Sequence, residues 1–559
     1  MERLYTAAGK KLPAVPWERY PRPQLRRADW LCLNGEWELQ WGRERGAIRV
    51  PFCPESLLGG VEAPPAVGQE MRYRCFFSVP EGWRGRRVLL HFGAVMRDCR
   101  VFVNDALLCR HENGYLPFTV DVTDALRPGE NELRVAVVND LDRRWPWGKQ
   151  ARRRGGMWYT PCSGIWQSVW LEPVPEAHVR ELEIRSGESW AEITAYGISE
   201  GFVSLLGREY PLRDGKARIE LASPRLWSPE DPFLYDFVLT CGEDRVESYF
   251  ALRTLSTETV NGVPRLCLNG KPFFFNGLLD QGYWSDGLYT PAAPEAYEQD
   301  ILAMKSLGFN TLRKHIKIEP EQFYYDCDRL GMIVFQDMVN NGKYAYIRDT
   351  VLPTLHFQKH EDTRLHRAPE SRRIFLESMD ATVRLLRNHP CICLWTIFNE
   401  GWGQFLADEA YERLRALDDT RFIDATSGWF HQKKSDVDSL HIYFDPLHLG
   451  EKPLPQFLSE FGGYVWKLPD HSFNREKTYG YRKYEDRESF VAALRETYGR
   501  ELPPLVRAGL CAAVYTQVSD VEDETNGFLT FDRAVLKLKP EELRDLCDGL
   551  QEAVKEGCL

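Results

Sequence analysis

No stretch of the 559 residues approaches the roughly 18 consecutive apolar residues of a membrane-spanning helix, so no membrane partner is expected. The opening residues, Met1-Glu2-Arg3-Leu4-Tyr5-Thr6, carry no apolar run of the kind found in a secretory signal, and a cytoplasmic location is the expectation. Positive charge is in deficit. The formal net charge is −11 and the pI is near 5.7, which argues against nucleic acid as a partner. The 14 cysteines lack the paired spacing of a zinc site. Cys391 and Cys393 share one face of a predicted strand, but no second pair accompanies them. Reduced thiols, no metal and no organic cofactor are therefore expected. Internal repeats and low-complexity segments are absent as well.

What is present is β-rich first and alternating later. Runs such as Trp37–Trp41, Arg87–Phe92 and Glu132–Val138 read as strands, separated by turn signals at Leu33-Asn34-Gly35, Pro80-Glu81-Gly82 and Arg127-Pro128-Gly129. No helical period intervenes, which predicts a jelly-roll β-sandwich over residues 1–173. Pro173-Val174-Pro175 marks a linker. The strands that follow, such as Ala191–Ala195 and Phe233–Leu239, predict an immunoglobulin-like β-sandwich over 174–256. From 257 to 559, strands alternate with helices. Strands are expected at 272–276, 310–313, 332–337, 393–398, 421–425, 439–443, 457–459 and 512–517, a pattern that fits a (β/α)8 barrel.

Active sites of such barrels lie at the C-terminal ends of the strands, so polar residues there are the functional candidates. Glu400 closes the apolar run Cys393–Asn399 and precedes Gly401. Glu460 closes Phe457-Leu458-Ser459 and precedes Phe461-Gly462-Gly463. By strand count they end strands four and seven and face each other across the mouth. Two carboxylates so placed can break a glycosidic bond.

The chain resembles glycoside hydrolase family 2, the family of β-galactosidases, β-glucuronidases and β-mannosidases. The resemblance rests on Leu33-Asn34-Gly35-Glu36-Trp37, Ser163-Gly164-Ile165-Trp166-Gln167, Leu226-Trp227-Ser228-Pro229, Phe275-Asn276-Gly277, Asn310-Thr311-Leu312-Arg313, Asn399-Glu400-Gly401-Trp402 and Ser459-Glu460-Phe461-Gly462. It implies that Glu400 is the general acid/base and Glu460 the nucleophile. It implies further that Asn399 contacts the sugar 2-hydroxyl, and that Tyr443 hydrogen-bonds the nucleophile, with a core tyrosine as the competing reading. His315 resembles the family's strand-two histidine but follows Arg313 one residue sooner than usual, and a one-residue slip on a strand reverses its face. Arg313 is expected to pair with the catalytic carboxylates, or to form a structural ion pair.

Asp280 and Asp337, at the ends of strands one and three, are candidates for sugar hydroxyls, and Trp284 and Trp402 are candidate stacking platforms or packing residues. Strand eight departs from the family, with Tyr515-Thr516-Gln517 where a tryptophan is usual and the acidic run Glu522-Asp523-Glu524 beyond it. The Asn-x-Lys element by which β-glucuronidases grip a uronic carboxylate is missing. Two loops can tune specificity. One is the basic stretch 143–154, whose arginines can meet an acidic sugar if it folds over the barrel mouth. The other is the long stretch 343–368 with His356, His360 and His366, read as lid or aglycone contact rather than a metal site. The expected function is a retaining exo-β-glycosidase, β-galactosidase-like, acting on a small-molecule or oligosaccharide glycoside. The alternatives are a β-glucuronidase or β-galacturonidase that uses the basic loop, and an inactive carbohydrate-binding protein. A homo-oligomer is compatible with all of these.

Overall fold

The computed structural model describes residues 3–559. Two β-sandwiches precede a parallel barrel. In the first, a six-stranded antiparallel sheet runs in the order Glu44–Val50, Gly35–Trp41, Glu70–Ser78, Glu130–Val138, Asp98–Val103 and Ala106–His111. It packs on a four-stranded sheet of Leu31–Cys32, Val169–Val174, Arg87–Phe92 and Phe118–Asp121. Period-two alternation drives the packing. Along Glu130–Val138, the residues Asn131, Leu133, Val135 and Val137 are buried while their neighbours are not, and the three apolar ones meet Trp37, Tyr73 and Leu90 in the core. The second sandwich sets Glu181–Ser186, Trp190–Tyr196 and Lys216–Glu220 against four strands between Gly201 and Phe250, around Ile193, Val203, Phe237 and Leu239.

The barrel has eight parallel strands: β1 (Phe275–Asp280), β2 (Thr311–Lys314), β3 (Ile333–Asp337), β4 (Ile392–Asn399), β5 (Phe422–Ser427), β6 (Asp438–Ile442), β7 (Gln456–Phe461) and β8 (Leu510–Tyr515). Their order is β5-β4-β3-β2-β1-β8-β7-β6, so the two ends of the sheet are neighbours in sequence. The β5–β6 seam is bridged by side chains. Ser439 Oγ lies 2.9 Å from Asp424 Oδ1 and 3.3 Å from the Thr426 carbonyl oxygen. Inside, Phe275, Phe335, Phe422 and Phe457, one from each odd-numbered strand, form a buried aromatic layer with neighbouring ring centroids 5.4–6.3 Å apart. This layer closes the barrel beneath its polar mouth. The expected (β/α)8 pattern is incomplete. Among the described residues no helix follows β5 or β6. The connection 428–437 is too short for a helical crossover, and 443–455 is interrupted by Pro446, Gly450, Pro453 and Pro455. Among the described residues no helix is long and apolar enough to cross a membrane.

Buried polar contacts weld the sandwiches to each other and to the barrel. Arg27 bridges them, its Nη1 3.0 Å from Glu172 of the first sandwich and its Nε 2.8 Å from Asp244 of the second. Below the barrel, Asp328 accepts from Tyr249 Oη (2.7 Å) and the Cys391 amide (2.8 Å), lies 2.7 Å from His389 Nδ1, and its carbonyl accepts from Trp227 Nε1 at 2.7 Å. Removing one partner from such a cluster strands a charge out of water. Arg27→Ala is therefore expected to lower stability by about 3–5 kcal/mol, read as a drop in the urea midpoint. A midpoint within error of the parent would show that the cluster does not hold the sandwiches.

Candidate active site

The mouth of the barrel gathers charge around one guanidinium. Arg313, on β2, is fully buried. Its Nε lies 2.9 Å from Asp337 Oδ1 on β3, and its Nη1 lies 3.1 Å from Glu460 Oε1 and 3.0 Å from the Ser459 carbonyl on β7. Its Nη2 donates to Asn399 Oδ1 on β4 at 2.8 Å. Residues i and i+2 of a strand share a face, so His315 follows Arg313 into the site and puts Nδ1 2.6 Å from Asp337 Oδ2. The early histidine of the sequence therefore still points inward. Lys314, on the other side, pairs with Asp280 at 2.6 Å and Glu319 at 2.8 Å.

Glu460 is buried, with 7% of its side chain exposed. Tyr443 Oη donates to its second oxygen. Burial alone would raise its pKa, but His441, Arg313, His315 and Lys149 outweigh that and pull it down to about 2. The carboxylate is thus held ionised. Burial pushes the His315 pKa down to about 4, with Lys149 adding to the effect. A neutral ring whose Nδ1–H faces Asp337 leaves Nε2 as an acceptor, and that buried nitrogen has no hydrogen-bond partner among the described residues.

Glu400 lies one residue past β4 in the left-handed region, with φ 54°. A side chain there carries backbone strain of about 1–3 kcal/mol, a cost met mostly at functional positions. Gly401 follows with φ 69°, and a Cβ on it would come within 2.1 Å of the Phe430 ring. The turn delivers Glu400 to the mouth with 16% of its side chain exposed. Its Oε1 lies 2.9 Å from His441 Nδ1. His441 Nε2 is 3.1 Å from Ser427 Oγ and 3.6 Å from Glu460 Oε1. One ligand-type atom from each of Glu400, His441 and Glu460 lies within 4.8 Å of the others. Sequence reasoning missed His441. A register shift between Leu440 and His441 turns it toward the site, and a one-residue irregularity of that kind leaves no mark in the residue pattern. Gly428 packs against His441, since a Cβ there would sit 2.8 Å from the His441 ring.

The remaining candidates divide. Asn399 and Asp337 belong to the cluster through Arg313. Tyr443 stacks on Tyr481, centroids 3.7 Å apart, and reaches Glu460. Asp280 is at the rim but occupied: Lys314 and the Gly282 amide take its two oxygens. Trp284 is 2% exposed with the Arg533 guanidinium 4.1 Å above its ring, so it packs and presents no stacking face. Trp402 is likewise buried, enclosed by Trp147, Trp158 and Tyr344. It anchors loops rather than lining open space. The basic stretch 143–154 does fold over the mouth. The Gly342 amide donates to the Arg143 carbonyl at 2.6 Å, and Trp147 Nε1 donates to the Gly342 carbonyl at 3.1 Å. On the return leg Tyr159 Oη donates to Glu524, and the Thr160 amide donates to Glu522 at 2.9 Å. The acidic run after β8 is thereby docked on the first sandwich.

Comparison with known proteins agrees with this geometry. Residues 62–196 match the model described as glycosyl hydrolase 2 galactose-binding domain-like, 191–253 the model of glycosyl hydrolases family 2, and 260–452 the model of the family 2 TIM barrel domain. A β-galactosidase of Thermoanaerobacter pseudethanolicus is 25% identical over 58% of this chain and 44% of its own length. A β-glucuronidase of Bacteroides fragilis is 22% identical over 66% of this chain and 56% of its own. The chain thus spans about half or less of the length of these curated relatives. In solved structures the fold recurs in a β-D-glucuronidase of Dictyoglomus thermophilum (TM-score 0.73, 17% identity, 95% and 98% of the two chains). It recurs also in a β-galacturonidase of Eisenbergiella tayi bound to galacturonate (TM-score 0.70, 20% identity, 94% and 98%). With consecutive models of one family matched from the first sandwich into the barrel, the chain belongs to glycoside hydrolase family 2.

Proposed function

We propose that the protein is a retaining exo-β-glycosidase in which Glu460 is the nucleophile and Glu400 the general acid/base. One observation carries the reading: two carboxylates with oxygens within 4.8 Å of one another, one held ionised by His441 and a buried arginine and the other more open to solvent. Retaining glycosidases need carboxyls about 5–5.5 Å apart, whereas inverting ones need about 6.5–9.5 Å to admit a water. Glu460 attacks the anomeric carbon as Glu400 gives its proton to the departing glycosidic oxygen. The ester that forms removes the Glu460 charge, which favours ionisation of Glu400, and Glu400 then takes a proton from the water that releases the sugar. Asn399, with Oδ1 committed to Arg313, offers its Nδ2 donors to a sugar hydroxyl, and His315 Nε2 offers an acceptor. His441 is the positioning residue that holds Glu400 at its distance from Glu460. The printed activities of the relatives, β-galactosidase, β-glucuronidase and β-galacturonidase, support a terminal β-linked pyranoside as substrate.

Hydrolysis of 4-nitrophenyl β-glycosides, followed by proton NMR, is expected to release the β-anomer first. Glu460→Gln should lower kcat by about 10³-fold or more without moving the thermal midpoint. An α-anomer as first product, or near-parental turnover by Glu460→Gln, would refute the mechanism. Binding of sugars without turnover would mark a carbohydrate-binding protein instead.

The pH dependence follows from the two depressed groups. Glu460 must be ionised and titrates near 2, and His315 must be neutral and titrates near 4. The acid side of the kcat/KM profile is therefore expected to stay flat down to about pH 4. An acid limb centred at 6 or above would contradict an ionised Glu460. His441→Phe, which keeps an aromatic ring but no hydrogen bond, is expected to lower kcat about 10- to 100-fold and to displace the pH profile, with His441→Asn recovering part of the loss. A profile superimposable on the parent's would reduce His441 to packing.

A further inference from the structure

Lys149 is a basic residue of the loop 143–154 whose charge is felt by His315 and Glu460 in the site. Its main chain is held on both sides. Gly148 (φ 62°) packs so tightly that a Cβ would lie 2.4 Å from Tyr115 Oη, 3.0 Å from Tyr289 Oη and 3.4 Å from the carbonyl of Ile316, the residue after His315. Trp147, on the same side, meets Trp402 edge-on at 4.9 Å, two residues past Glu400. The Lys149 carbonyl accepts from the Tyr159 amide at 2.9 Å, and Tyr159 itself reaches Glu524 beyond β8. The lysine is therefore suspended between the ends of β2, β4 and β8.

Four of the five arginines of this loop are committed elsewhere, and the fifth, Arg153, is exposed. Arg143 lies over the Trp147 ring at 5.1 Å, and Arg144 binds Asp142 and Glu370. Arg152 donates to the Asp140 carbonyl at 3.0 Å, and Arg154 lies 3.6 Å from Glu522 and Asp523. The Lys149 ammonium, half-buried, makes no hydrogen bond or ion pair among the described residues, yet its charge acts on His315, Glu460 and Glu524. Glu524 is not its fixed counter-ion. No contact of 4 Å or less joins them, and burial pushes Glu524 toward its neutral form.

A half-buried ammonium with no protein partner keeps its donors free, and an anionic ligand group can take them in a charge-assisted hydrogen bond. We infer that Lys149, supplied by the first sandwich, anchors a carboxylate on the terminal sugar, so that the substrates are β-uronides rather than neutral β-galactosides. The expected arginine contact is thereby replaced by a lysine contact from the same loop. The inference rests on the β-glycosidase reading above. It names the glycon by its charge, which glucuronides and galacturonides share, and separate substrates distinguish the two.

The test compares the full-length protein on 4-nitrophenyl β-D-glucuronide and β-D-galacturonide with the matching β-D-glucoside and β-D-galactoside. At least one uronide should exceed its neutral counterpart in kcat/KM by about 100-fold, the scale of one hydrogen bond to a charged group. Lys149→Gln should bring that ratio close to one, and Lys149→Arg should restore part of it, with thermal midpoints confirming that both variants fold. Faster turnover of a neutral glycoside by the parent, or an unchanged ratio in Lys149→Gln, would overturn the assignment. If no glycoside is turned over, the glycosidase reading fails separately. Calorimetry with free glucuronate and galacturonate then decides on Lys149 alone: binding by the parent and loss in Lys149→Gln support the anchor, and binding unaffected by the substitution, or no binding, rejects it.

Discussion

The site depends on the burial of Arg313. A guanidinium fully removed from water is tolerable only when its donors are satisfied, and here the ends of three strands satisfy them: Asp337 from β3, Asn399 from β4, and Glu460 with the Ser459 carbonyl from β7. The reciprocal statement matters as much. Each of these groups is oriented by the arginine, so the nucleophile candidate, the amide beside the acid candidate and the partner of His315 share one fixed reference. The phenylalanine layer beneath supplies the floor that keeps this charge dry, and Tyr443 completes the Glu460 shell from the open side. The electrostatic consequence is asymmetric. Glu460, between a guanidinium and a phenol, is stabilised as an anion, while Glu400 meets only an imidazole and solvent. Two carboxylates facing each other across the barrel mouth thus acquire different chemistry from their surroundings rather than from their own residue type.

Covering this barrel requires the rest of the chain. The mouth is bounded by the loop of the first sandwich, which inserts Trp147 and Trp158 against Trp402 and Tyr344, and by the acidic segment beyond β8 that the same loop clamps through Tyr159 and Thr160. At the opposite end of the barrel the second sandwich docks through Trp227 and Tyr249 on Asp328. The missing helices after β5 and β6 fit this arrangement. His441 and Tyr443 approach Glu460 from that side, and short irregular connections leave room for Trp429 and Tyr481 to pack against them.

Much of this was legible in the residue pattern, and the gaps have physical causes. Glu400 and Glu460 were visible because an apolar run that ends in a carboxylate beside glycine has few structural explanations. Arg313 and Asp337 were visible by position, although which carboxylates the arginine would meet was not, since Glu400 turns away in a left-handed residue and leaves Asn399 in its place. His441 stayed hidden because its orientation depends on a register irregularity with no residue signature. The tryptophans were ambiguous for another reason: Trp284 and Trp402 stand at strand ends, as platforms do, but whether a ring stays open is decided by chain remote in sequence. Arg533 covers one and the first sandwich covers the other. The helices absent after β5 and β6 were announced by proline and glycine, a signal that eight-fold regularity outweighed.

The basic loop shows how charge count and charge use separate. Its arginines gave the loop its character in the sequence, yet their length and forked donors draw them to carboxylates and carbonyls on the loop's own surroundings, where several acceptors can be met at once. A lysine, with one compact charge and a flexible stem, is the residue that stays unsatisfied when the backbone is clamped and no acceptor lies within reach. In a site that already holds Glu460, Asp337 and Glu524, such a cation arriving from a different part of the chain serves a separate purpose from Arg313. The arginine beneath is fully buried, and each of its three nitrogens is already engaged by a protein group. The lysine above has all of its donors to give. Under the proposed mechanism and substrate, fixing the reaction and reading the substrate fall to two cations on two structural units, so the second can change without disturbing the first.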